Sequence, residues 1–220
     1  MSARQRRLAR AYHEAGHVVM ARALSLRVVG ISLDPNLTYA GRIENEIKKL
    51  VIKKRAVDLD RLHRRTEKKV MTLMAGPVAQ RRLGGPGHTR FGAFRDRQLA
   101  LRVLASISDT ARQTEAHIQY VNVAVEELMT PDLLAAVREV ASALVSNGAL
   151  AGWEVVAICR RQASATAAHL PRNEPAGNRS SGKLGVADGV HGDPRRSSAE
   201  LGQVGVAETV AAIKKATSRR

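Results

Sequence analysis

Aromatic side chains are scarce in this chain of 220 residues: Phe, Tyr and Trp together make up 3%. Apolar residues still account for 44% of the sequence, so a core of ordinary size has to come from Leu, Val, Ile, Ala and Met. The shortage also argues against base stacking, which needs aromatic platforms interleaved with basic residues. Cysteine is rarer still. The lone Cys159 cannot close an internal disulfide, which fits a reducing compartment and predicts a cytoplasmic protein. No apolar run approaches the roughly 18 residues of a membrane-spanning helix, and the start has no secretory apolar stretch. No membrane span is expected. Met1–Arg10 is Arg-rich in the manner of a transit peptide, but it runs straight into the first predicted helix.

Acidic residues are outnumbered, 20 against 36 Lys and Arg, which leaves a formal charge of +16. Such a charge favours anionic partners. The basic residues are dispersed through Arg4–Arg10, Lys48–Arg65, Arg81–Arg102 and the C-terminal stretch. This is the pattern of a solvated basic surface, with nucleic acid open as a partner but not as a specific one.

What stands out is Tyr12-His13-Glu14-Ala15-Gly16-His17, inside a run that reads as one helix from about Arg4 to Leu26. Helical positions i and i+4 stack on one face, so His13 and His17 can aim their imidazoles at one point. Zinc takes such ligands at roughly 2.0–2.1 Å. Glu14 is placed to reach a water on the open side of the metal, which gives a general base beside a Lewis acid. Leu8, Tyr12, Ala15, Val19 and Ala23 form one predicted core stripe, and His13, His17, Met20 and Leu24 a second. Gly16 costs the helix about 1 kcal/mol relative to Ala, which implies that something packs closely there. For a third ligand the spacing alone leaves Asp96, His63, His88 and His117 open, with His88 the best of the histidines.

Arg27–Leu33 is short and β-branched and predicts a strand, with Asp34-Pro35-Asn36 as a turn and Thr38–Ile43 as a returning strand. Lys48–His63 is highly charged and is assigned to a surface segment or lid. A helix is expected over about Arg64–Leu83, kinked or broken near Gly76 because Pro77 has no N–H for the carbonyl of Leu73. Gly84–Gly87 predicts a loop. Further helices follow, with a break near Asp109, and Thr130-Pro131 predicts an N-cap and first helical residue. Leu133–Val145 forms a strongly apolar helical face closed by Asn147-Gly148, and Gly152–Gln162 a last short helix. Beyond about Ser164, Pro, Gly, Ser, Asn and Arg dominate, the composition of a disordered tail. A single domain over 1–163 and a basic tail over 164–220 are expected, with a mainly α fold and a small β-sheet. Ala207–Thr217 has some helical pattern but is short for a stable isolated helix.

With these segments in order, the chain resembles the peptidase domain of the FtsH-type ATP-dependent zinc metalloproteases. Tyr12–His17 matches that family's zinc-helix signature. Ala75-Gly76 with Val78-Ala79 resembles its Ala-Gly-Arg-x-Ala-Glu-Glu helix, and Gly92-Ala93-Phe94-Arg95-Asp96 its Gly-Ala-x-x-Asp segment. Val145–Val155 resembles its last helical hairpin. The likeness covers about residues 7–162 and implies a zincin-like helical metallopeptidase domain. It implies a zinc ion held by His13, His17 and Asp96, with Glu14 as catalytic base. Two departures are clear: Gln80-Arg81 stand where the family has Glu-Glu, and Pro77 where it has Arg. No complete phosphate loop is present: Gly177, Gly182 and Lys183 have the spacing, but Leu184 replaces the Mg²⁺-binding hydroxyl.

The function expected on this likeness is ATP-independent hydrolysis of peptide bonds in unfolded proteins or peptides. A separate ATPase or an oligomer remains open as a partner. The alternative is a catalytically weak or inactive metal-binding interaction module, associated with nucleic acid through its basic surface.

Overall fold

A capping box starts the first helix. Ser2 Oγ accepts from the backbone N–H of Gln5 at 3.2 Å, and Gln5 Oε1 accepts from the backbone N–H of Ser2 at 2.7 Å. This helix, α1 (Ala3–Ala23), runs 21 residues and ends at Leu24, after which Ser25 turns into the left-handed region with φ 60°. A computed structural model describes residues 2–34, 59–84 and 90–169. After α1 come β1 (Gly30–Ser32), α2 (Leu59–Gly84), α3 (Arg90–Ala105), α4 (Ala111–Leu128), α5 (Pro131–Asn147), β2 (Ala149–Ala151) and α6 (Gly152–His169). The described residues are therefore mainly helical with one two-stranded sheet, the class expected from the sequence.

α1 is the centre of the assembly and packs most extensively on α2, then on α5. From His13 to Ala21 every residue is buried. The two expected stripes thus merge into a helix enclosed on nearly all sides. Of the expected core stripe Ala15 and Val19 are buried, Tyr12 and Ala23 are half-buried, and Leu8, in the exposed first turns of α1, is 37% exposed. The largest enclosed side chains include Met20, Met71, Leu73, Leu104, Ile118 and Leu144, whereas Phe94 and Trp153 are 66% and 74% exposed. An aliphatic core fills the space that aromatics usually occupy.

Backbone contact between α1 and α2 rests on small residues. A Cβ on Gly16 lies 2.6 Å from Ala79 Cβ and 2.7 Å from the carbonyl oxygen of Ala75, closer than atoms tolerate. Helix α2 continues unbroken through Pro77. The break, one of the two outcomes expected near Gly76, does not occur, since close packing on α1 holds the segment helical despite the missing N–H. The Gln113 box on Thr110 starts α4, and Thr130 caps α5 with Pro131 in its first turn. Gly148 closes α5 at φ 77°, the conformation glycine accepts most readily.

β1 is shorter than the expected Arg27–Leu33, and its described partner is β2. The pairing is antiparallel, with Gly30 opposite Ala151, Ile31 opposite Leu150 and Ser32 opposite Ala149. Leu33 N–H donates to the Gly148 carbonyl and Gly152 N–H to the Val29 carbonyl, both at 2.9 Å, extending the ladder at each end. The expected Thr38–Ile43 strand lies outside the described residues, as do Lys48–Asp58, Gly85–Thr89 and residues 170–220. Residues Leu59–His63, expected in the charged surface segment, are the first turn of α2, and α6 continues to His169, past residue 163.

Candidate metal centre

Helical geometry brings the two histidines together as their spacing implied. His13 and His17 stack edge to face with ring centroids 4.7 Å apart, and their Nε2 atoms lie 3.1 Å from each other. Asp96 reaches them from α3. Its Oδ2 lies 2.8 Å from His13 Nε2 and 3.4 Å from His17 Nε2. Relative exposures of 7%, 1% and 2% for His13, His17 and Asp96 make this a buried cluster. Its ligand atoms all lie within 4.8 Å of one another. Asp96 lies beyond the first turn of α3, so it is not an N-cap.

Two acceptors on α2 fix the tautomers. His17 Nδ1 donates to the carbonyl oxygen of Thr72 at 2.8 Å, and His13 Nδ1 donates to Gln80 Oε1 at 3.2 Å. In each neutral imidazole the proton is then on Nδ1 and the lone pair on Nε2. Both lone pairs face the carboxylate oxygen, so three acceptor atoms crowd one point. Asp96 Oδ2 is buried and finds no aligned hydrogen bond there. Such a set repels itself unless a proton or a cation sits among the three atoms. The group is able to hold a metal ion.

Charge state follows the same logic. Burial pushes the His17 imidazole down, but the Asp96 carboxylate beside it, with a further contribution from Glu14, raises it to about 9. Burial pushes the Asp96 carboxyl up, and the two imidazoles hold it well below the usual carboxylate range. Without metal, then, a proton on His17 binds the cluster together.

Glycines shape the approach. A side chain on Gly76 would run into the His17 ring and lie 2.9 Å from the His13 carbonyl oxygen. On Gly92 of α3, a Cβ would lie 3.2 Å from His13 Cε1. Glu14, one residue from His13, is buried at 5% exposure, and its charge is felt at His17. It is not part of the ligand group.

Sequence reasoning therefore named all three members of the cluster but missed the supports. Gln80 was read only as the loss of a carboxylate, whereas its amide oxygen makes the hydrogen bond a carboxylate would make. The Thr72 carbonyl has no sequence signal, since any residue supplies one. Of the alternative third ligands, His63 is half-buried outside the group, His117 pairs with Glu67, and His88 lies outside the described residues. No helix among the described residues is long and apolar enough to cross a membrane. No protein-family model, curated protein or solved structure matches the chain, so the centre is read from its own geometry.

Proposed function

We propose that the chain is a zinc-dependent endopeptidase with an FtsH-like, zincin-type site, acting on unfolded proteins or peptides. The observation that carries this reading is the convergence of His13 Nε2, His17 Nε2 and Asp96 Oδ2, with buried Glu14 next to His13 on the same helix. Two imidazoles and one carboxylate are a donor set suited to zinc, and three protein ligands leave a position open for catalysis. When bound, the ion supplies Lewis acidity, polarising a carbonyl and acidifying water. Glu14 takes the proton of the attacking water and passes it to the leaving amine. Gln80 and Thr72 hold the imidazole planes so that neither ring turns its Nδ1 inward. Burial of the cluster excludes bulk water and strengthens each of these interactions.

Glu14→Gln keeps the size of the side chain but cannot accept the proton. Zinc content is expected to stay near wild type while chelator-sensitive cleavage of unfolded casein falls at least about 100-fold. Loss of zinc in the variant would make Glu14 structural, and unchanged cleavage would move catalysis elsewhere. Wild-type protein that holds zinc yet cleaves nothing would favour the metal-binding module.

A further inference from the structure

The opposite side of α2 carries a second cluster that the peptidase reading does not use. Glu67 is 2% exposed and His117, from α4, is 7% exposed. Glu67 Oε1 and His117 Nε2 approach to 3.2 Å. His117 is the polar neighbour of Oε1, while Glu67 Oε2 is buried with no hydrogen-bond partner among the described residues. One oxygen of a buried carboxylate is thus left without a donor, at a cost of about 1–3 kcal/mol. Asp96 Oδ2 in the first centre is likewise buried and close to a histidine nitrogen.

His63 completes the parallel. It precedes Glu67 by four residues on α2, so the two side chains rise from one helix face, the spacing that unites His13 and His17 on α1. It is half-buried at the edge of the cluster, and its charge is felt at Glu67. We propose that His63, Glu67 and His117 form a second site for a divalent transition-metal ion, with Glu67 and His117 already facing each other and His63 closing onto them by rotation of its side chain. Two imidazoles and a carboxylate again suit zinc among the common divalent ions. Arg64, exposed on the same turn, also has its charge felt at Glu67 and opposes a cation there, weakened by the solvent around it. An ion here ties α2 to α4, and α2 is the helix that supplies Thr72 and Gln80 to the first centre.

Metal content of the full chain tests this independently of proteolysis. After exposure to Zn²⁺ and removal of excess, wild type is expected to retain two equivalents and His17→Ala one. The double variant His17→Ala/Glu67→Gln is expected to retain none, with unchanged helicity by circular dichroism. In the His17→Ala background Zn²⁺ is expected to raise the melting temperature, and adding Glu67→Gln or His117→Gln is expected to abolish the rise. One equivalent in wild type and none in His17→Ala would overturn the second site and leave the first standing. One equivalent in both, lost with Glu67→Gln, would support the second site and remove the first.

Discussion

At Gln80 a neutral amide does what a carboxylate does in many metal centres. Its Oε1 accepts from His13 Nδ1, fixing the ring without adding a third negative charge to Asp96 and Glu14. A divalent ion held beside those two carboxylates would leave the centre near neutrality. Substitutions at outer-shell positions typically cost 10–100-fold in metal affinity. Gln80→Leu is expected to weaken zinc binding by about 10-fold or more, because His13 loses its anchor and a buried N–H loses its acceptor. Gln80→Glu keeps the acceptor and is expected to bind zinc at least as tightly as wild type. Competition with a chromophoric chelator measures both. Equal affinities in all three proteins would show that Gln80 does not position the ligand. None of this could be read from the sequence, where Gln80 appears only as a departure from Glu. The pair His13 and His17 could be read, because i, i+4 spacing fixes their geometry before any tertiary contact forms.

On the scale of elements, local signals were legible and long-range ones were not. The Thr130-Pro131 start and Gly148 stop of α5 are written in adjacent residues, whereas the Ser2–Gln5 capping box of α1 was not read and the helix was expected to start near Arg4. The partner of β1 is not written locally: Ala149-Leu150-Ala151 is three residues long and has no period to detect, and it pairs across more than a hundred residues of chain. Pro77 predicted a kink or a break because propensity counts only the missing N–H; the break does not occur, because packing against α1 keeps the segment helical. That packing is also where the helix pair is most vulnerable. Gly76→Ala drives a methyl into the His17 ring. It is expected to cost about 1–3 kcal/mol of stability, as overpacked cores do, and to lower zinc affinity in the same step. Gly16→Ala meets Ala79 and the Ala75 carbonyl instead, so its stability loss should come with a smaller effect on zinc. Denaturant unfolding beside zinc titration separates the two, and equal zinc affinities in both variants would contradict the assignment.

For the whole molecule, the first centre links stability to pH in opposite ways with and without metal. The His17 pKa is raised from 6.5 to about 9 in the folded, metal-free state. A raised pKa contributes stability in full below the unfolded value and loses it as pH climbs through the folded one. Asp96, held below its ordinary value, contributes above that value and loses its contribution as pH falls. The metal-free protein should therefore lose melting temperature between about pH 6.5 and 9. Zinc has to displace the His17 proton, so its apparent affinity should rise by up to about tenfold per pH unit over the same window. Melting curves with chelator and with zinc, from pH 6 to 10, are expected to diverge as pH rises. A zinc-induced shift that is the same at every pH would rule out a proton shared with the ligand set.

One further consequence follows from where the three ligands sit along the chain. His17 and Asp96 are about eighty residues apart, so an ion held between them closes a loop as a disulfide would, a constraint on the unfolded chain of about 4 kcal/mol in the entropic treatment. With one cysteine the protein cannot make that closure through sulfur. A metal crosslink at this position would be one that reductants leave intact and that acid or a chelator opens.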